Sequence, residues 1–310
     1  MDEDSMGERL TEGIGGQAGP ARGAGERRRW SVAWVVVMVV AGVLVGWSLF
    51  LFVDRAWWAV HYPHEIFYGE GGVLLEASTI ARHGQVYGDY RHYPFVVATY
   101  PPVYSWLGAL GVSLWGDSFT FGRVLSILAT LAIAVLLGGI ARRAWLSRAA
   151  AIAAAVLFLA APFLRGWAVA MRVDMVAILL GLAGLCAVMR GGRWLVAAVL
   201  LFTLAMFTRQ SEVAPLAASI VYLLSSKQRK EAALVAGGAG ALMIGAFLAL
   251  QVVSDGWFYR HVVVSNQNHW EPGLLLSLWR SAFVAWPAPF ILGGVGATLA
   301  INRQGRTGER

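Results

Sequence analysis

Charge is scarce in this sequence. Asp, Glu, Lys and Arg make up 14% of its 310 residues, against about 25% in a soluble domain. Cysteine is nearly absent: Cys186 is the only one, so no disulfide scaffold holds the chain together. The glycine patterns that cradle nucleotides are missing from any strand-to-helix context, which argues against nucleotide-driven chemistry. The alternating pattern of a membrane barrel is also lacking. What the chain has instead is apolar sequence, 58% of all residues, gathered in blocks long enough to cross a bilayer. A soluble enzyme and a disordered chain are both excluded. The net charge of +7 lies mostly in short clusters between the apolar blocks, the pattern of membrane topology and not of nucleic-acid binding.

Spans are predicted at roughly 30–53, 119–141, 149–165, 174–189, 194–208, 212–225, 232–253 and 274–300. In lipid a chain must satisfy its own backbone hydrogen bonds, so these are helices. The fold class is therefore all-α, a polytopic membrane bundle of about eight spans. Residues 1–29, rich in Gly and charge, read as a disordered cytoplasmic tail, residues 30–300 as the membrane domain, and 301–310 as a second cytoplasmic tail. The first span follows Arg27, Arg28 and Arg29 and is too long for a signal-peptide core, so it reads as a retained anchor. With the N-terminus inside, 16 of the 25 Lys and Arg fall in inner segments, among them Arg142, Arg143, Arg190, Arg193, Lys227, Arg229 and Lys230. Each inner segment then carries a basic cluster, as the positive-inside rule requires. Thr208-Arg209-Gln210-Ser211-Glu212 divides 194–225 into two short helices. One continuous helix there would reverse everything downstream.

This topology places all six histidines and 10 of the 18 carboxylates on the outer side. Residues 54–118 form one long outer loop that is more than a linker. Within 70–83, Val73, Leu74, Ala77, Ile80 and Ala81 share a face at helical spacing, which predicts an amphipathic helix in the membrane interface. Tyr100-Pro101-Pro102 opens a second short apolar helix to about 115, proline being well suited to a first helical turn. The small residues Gly138, Gly139, Gly181, Gly184, Gly237, Gly238 and Gly240 are expected to let helices approach closely.

Several short pieces then occur in order. They are Tyr68-Gly69-Glu70-Gly71, Gly84 through Tyr87, Tyr100-Pro101-Pro102, Gly122-Arg123, Arg172-Val173-Asp174-Met175, Phe207 through Ser211, and Asp255-Gly256-Trp257-Phe258 with Asn266. Together they resemble the GT-C glycosyltransferases, the multi-spanning enzymes that use polyprenyl-phosphate sugars and include the protein O-mannosyltransferases and the lipid A aminoarabinose transferase. No single piece is specific; the order carries the resemblance. Two departures stand out. Many relatives have Asp where this chain has Gly69. The family is also typically longer, so the chain resembles a minimal member or one truncated at its C-terminus.

The resemblance implies an enzyme that moves a sugar from a polyprenyl phosphate to an acceptor at the extracytoplasmic face of the cell membrane. A carboxylate takes the acceptor proton. The implied catalytic residues are Glu70, with Glu65 as a replacement for the lost Asp, and Asp174 in the wall of the site. Arg172, Arg209, Tyr100, Arg260 and Asn266 are the implied substrate-binding residues, Arg209 serving the leaving phosphate. Each has a plainer alternative: carboxylates favouring helix N-termini, an arginine reaching for the interface, an aromatic belt. Tyr104, Trp57, Trp58, Trp257 and Trp270 stand between sugar stacking and that same belt, and Arg123 and Arg165 are weaker phosphate candidates. No cofactor is implied, although a divalent ion on the carboxylates stays open; His61, His64 and Glu65 make a poor zinc set. The partners are the lipid-linked donor, an acceptor the sequence does not identify, and the bilayer, with no nucleic acid. The competing readings are a transporter or flippase of a lipid-linked or small solute, and a non-catalytic membrane scaffold.

Overall fold

A computed structural model describes residues 32–285, except 94, 146 and 268–270, together with 287. The predicted tails, the second half of the predicted 274–300 span and Trp270 lie outside the described residues. The chain divides at residue 43 into two units. The described part of the first is the opening stretch of α1 (Val32–His61). The second holds everything from Leu44 onward.

The helices follow the sequence pattern closely. The long ones are α1, α4 (Thr120–Trp145) and α10 (Arg229–Val253), each apolar and long enough to cross a bilayer. Shorter apolar helices fill the remaining predicted spans: α5 (Arg148–Leu159), α7 (Asp174–Arg190), α8 (Trp194–Thr208), α9 (Ala214–Ser225) and the start of the last, α12 (Pro272–Ala285). Two short elements complete the set, α6 (Leu164–Trp167) and α11 (Trp257–Val262). The long segment between α1 and α4 carries α2 (Glu70–His83) and α3 (Val103–Trp115).

Breaks fall where the backbone requires them. α1 continues to His61, eight residues beyond the predicted end at 53, and stops just before Pro63. Proline disfavours helical geometry in the residue ahead of it, and nothing earlier in 54–61 breaks the helix. α5 begins on Ser147, whose hydroxyl accepts from the Ala150 amide at 3.3 Å, a side-chain cap for an orphan N–H. It ends at Leu159 and not 165, because Pro162 cannot continue the ladder. Residues 194–225 are indeed two helices: Arg209 adopts an extended conformation (φ −150°) and Pro215 sits in the first turn of α9.

Helix α4 packs on α5 and α7, α7 on α8 and α9, and α10 on α8 and α9. One core joins α1 to α2, α3, α4 and α7 through Phe52, Val73, Tyr104, Ile133 and Met175. A second binds α7, α8, α9 and α10 through Val188, Phe202, Leu223 and Val235. The opposite faces stay apolar and uncovered, as at Val135, Val221, Ile244 and Val252. In water so much contiguous apolar surface would drive association; in a bilayer it is the lipid-facing side.

The expectation that small residues allow close packing holds for part of the set. A Cβ on Gly184 would lie 2.6 Å from the Phe202 ring, and one on Gly181 would lie 2.9 Å from Pro215. Gly139, Gly237 and Gly240 face open space instead. Gly184→Leu should therefore overpack the α7–α8 contact and lower stability by about 1–3 kcal/mol. Gly139→Ala should leave it equal or slightly higher, since Ala is the better helix former. Thermal unfolding in mild detergent distinguishes the two.

Candidate functional site

The site is built on a buried ion pair. Arg123, near the start of α4, and Glu70, the first residue of α2, are each 0% exposed. The guanidinium donates from Nε to Glu70 Oε1 at 3.0 Å and from Nη2 to Oε2 at 2.9 Å. Its other N–H groups reach the carbonyls of Ala59 (2.7 Å), Tyr62 (2.5 Å) and His64 (2.6 Å). The Glu70 carboxylate also accepts from the backbone amides of Ile66 (2.8 Å), Phe67 (3.3 Å) and Met171 (2.6 Å). Burial works to raise the Glu70 carboxyl, but Arg123 and the amides prevail and hold it below its usual range. An ionised carboxylate offers roughly four acceptor positions, and here five N–H groups take them. No lone pair is left for an incoming proton.

Beside this pair stands a second cluster. Asp174 opens α7 with its side chain 4% exposed, between two arginines. Arg172 Nε reaches its Oδ2 at 3.1 Å, and Arg209 Nη1 reaches its Oδ1 at 2.6 Å. Arg172 also donates to the Tyr68 carbonyl at 2.6 Å and to the Tyr100 hydroxyl at 3.3 Å, and lies over the Trp167 ring at 4.7 Å. Its donors are thus largely occupied. Arg209 differs, because its side chain is 34% exposed and only Nη1 is engaged among the described residues. The break between α8 and α9 turns this arginine out of the apolar run and onto Asp174. Glu212 in the same break is raised by burial, with Asp174 adding to the shift and Arg209 opposing it.

Three distant segments meet at one carbonyl. Thr99 O accepts from Gln210 Nε2 at 3.1 Å and from Asn266 Nδ2 at 2.6 Å. That ties the approach to α3, the α8–α9 break and the segment after α11 together. The Gln210 Oε1 atom is buried with no hydrogen-bond partner among the described residues. Tyr100 is held from its other side by the Tyr87 hydroxyl, 2.8 Å from its carbonyl.

Glu65 lies in the turn between α1 and α2. It is exposed, and its carboxylate would lie 3.2 Å from a Cβ on Gly71 in the first turn of α2. Arg260 lies elsewhere, stacked over Trp257 at 4.8 Å, with Arg91 also over that ring at 5.1 Å. Tyr104 is fully buried, its hydroxyl donating to the Gly122 carbonyl at 3.1 Å, so it packs the core instead of facing a sugar. Trp57 remains largely exposed on α1. The buried Nε of Arg165 has no partner. Among the described residues no three His, Cys, Asp or Glu side chains converge as a metal set.

The sequence reading gave Arg123 a minor part, yet it is the largest fully buried side chain of the structure. A charged residue three positions into an apolar span was the available signal, since such a charge needs a partner in a dry site. The burial of Glu76 and Ser78 on α2 carried no such signal. Glu76 accepts from the Ser105 hydroxyl at 2.8 Å, and desolvation raises its carboxyl to about 7. His261 accepts from the Ala98 amide at 2.9 Å on Nδ1 and faces the Gly88 carbonyl at 2.7 Å on Nε2. This pattern suits a neutral ring that clasps the 88–98 loop, and burial lowers its pKa.

Comparison with known proteins places the chain in a class. The crystal structure of ArnT from Cupriavidus metallidurans in the apo state shares the membrane-helical fold, with a TM-score of 0.58 at 21% identity. The match covers 83% of this chain and 49% of that one, so the chain spans about half the length of that protein. No curated protein sequence matches at a significant level. The sequence model of the dolichyl-phosphate-mannose-protein mannosyltransferase family matches residues 99–257, more than half of the chain. The chain belongs to this family of membrane glycosyltransferases.

Two stability outcomes follow. Glu70→Gln and Arg123→Met should each cost about 3–5 kcal/mol, because each leaves a buried charge without its counterion. The double variant should lose much less than the sum, read as melting temperature in detergent. Glu76 has the opposite sign from a salt-bridged carboxylate, since its folded pKa is raised. Its contribution is full below the ordinary 4.5 and is lost as pH rises to about 7. Glu76→Gln should flatten the pH dependence of the melting temperature across that window.

Proposed function

We propose that this chain carries the catalytic module of a glycosyltransferase that uses a polyprenyl-phosphate sugar at the extracytoplasmic face. The carrying observation is Arg209, a partly exposed guanidinium with unused donors, fixed by Asp174 at the rim of a buried cluster. A cation held there suits a phosphate that gains charge as it leaves. The basic groups Arg142, Arg143, Arg190 and Arg193 lie at the opposite ends of α4, α7 and α8. This supports an outer position for the site and both termini in the cytoplasm.

In this reading the acceptor hydroxyl attacks the anomeric carbon. The bond from that carbon to the phosphate oxygen breaks, and polyprenyl phosphate departs with the bonding electrons toward Arg209. The acceptor's proton goes to a carboxylate. Glu65 fits that role best: it is exposed and without a hydrogen-bond partner among the described residues, near the first turn of α2. Asp174 holds and aims the arginines, and Glu70 with Arg123 holds the frame. In this reading Gln210 Oε1 accepts from a sugar hydroxyl, while Asn266 holds the Thr99 carbonyl and Tyr100 holds Arg172.

The test is release of polyprenyl phosphate from a panel of polyprenyl-phosphate sugars in membranes containing the chain. Arg209→Gln should slow release about 10²–10³-fold, and Glu65→Gln about 10²–10⁴-fold. Both should leave the melting temperature near that of the parent. Full turnover in Glu65→Gln would move the base to Asp174, and no turnover in the parent would overturn the enzymatic reading for this chain.

A further inference from the structure

At the ends of α4, α7 and α8 remote from the Asp174 cluster, a cleft of about 420 Å³ opens between the three helices. Its walls are apolar, with Leu136 and Ile140 from α4, Ala183 from α7 and Leu201 from α8. Two guanidiniums, Arg143 and Arg190, stand at its mouth, and no carboxylate lines it. Both are exposed and without an ion-pair partner among the described residues. Arg190 is steadied 4.9 Å above the Trp194 ring, an aromatic residue of the type that marks headgroup depth. Gly139 keeps the floor open, since a Cβ there would meet nothing within 4 Å.

We propose that this cleft binds an anionic phospholipid. Its phosphate would sit between Arg143 and Arg190, and one acyl chain would lie along Leu136, Ile140 and Leu201. Charge complementarity and shape both favour this occupant. Two unpaired cations at the end of an apolar slot match a lipid with a negative head and a hydrocarbon tail, and basic pockets between membrane helices recognise such heads. A zwitterionic lipid fills the slot equally well but gains little from the arginines. The inference stands independently of glycosyl transfer, because the cleft shares no residue with the Asp174 cluster.

The full chain in mild detergent is titrated with dioleoyl phosphatidylglycerol and with dioleoyl phosphatidylcholine, and bound lipid is counted by native mass spectrometry. Phosphatidylglycerol should bind at about tenfold lower concentration. Cys186, the only cysteine of the chain and part of the cleft wall, should react more slowly with a small maleimide when that lipid is bound. Arg143→Gln with Arg190→Gln should abolish the preference. Gly139→Leu, which fills the floor with a good helix former, should weaken binding with both arginines intact. If the arginine variant fails to fold, Gly139→Leu carries the test alone. Equal binding of the two lipids, a preference that survives the arginine changes, or binding indifferent to Gly139→Leu would each overturn the proposal. So would displacement of phosphatidylglycerol by polyprenyl phosphate at lower concentration, which would give the cleft to that lipid.

Discussion

The rest of the structure depends on the contact between Arg123 and Glu70. Removing both charges from water costs several kcal/mol per ion, and attraction alone does not offset that. The offset here comes from completeness. Every N–H of Arg123 has an acceptor, and the Glu70 oxygens gather three backbone amides besides the guanidinium. These bonds reach the end of α1, the turn after it, the start of α2, α4 and the segment leading into α7. Three stretches far apart in sequence, 59–70, the start of α4 and the approach to α7, are thereby fixed by one pair, and Arg172 and Asp174 follow directly from the Met171 amide that Glu70 holds.

Most of the helical architecture was legible because one constraint governs it. In lipid, apolar length and the places where it is interrupted decide where helices run. Thr208 through Glu212 and the basic clusters therefore marked real breaks. The errors were local. α1 overran because Arg55 and the Trp57-Trp58 pair look like loop residues by composition, although nothing short of Pro63 stops a helix there. Helix α2 was expected to show one apolar face in the interface. It buries that face against α3 and the core, together with Glu70, Glu76 and Ser78. Periodicity counts apolar residues and is blind to polar ones buried by pairing.

The candidate site was legible by residue type and less so by role. Arg172, Asp174, Arg209 and Tyr100 do come together, and Asn266 joins them through Thr99. Arg260 does not, because an exposed arginine beside Trp257 gains more from stacking on that ring. For Glu70 the motif pointed to the right place, while the partners that fill its carboxylate came from α4 and the turn before α7. Only the folded chain brings those together, so no local pattern revealed them.

Gly69 shows how one absent side chain reshapes the electrostatics of the site. It caps α2 at φ +91°, a left-handed conformation natural to glycine and tolerated by aspartate better than by most residues. A Cβ there would lie 3.1 Å from Nη1 of Arg172, so a carboxylate at this position would compete with Asp174 for the same guanidinium. With glycine in place, Arg172 belongs to Asp174 and the Tyr68 carbonyl. Two arginines then share Asp174, with the carboxyl of Glu212 beside them. The more exposed of the two is Arg209, at the edge of the cluster. An aspartate at 69 would draw Arg172 away from Asp174 and leave Arg209 as the main partner of that carboxylate, so the glycine decides how the two arginines are shared.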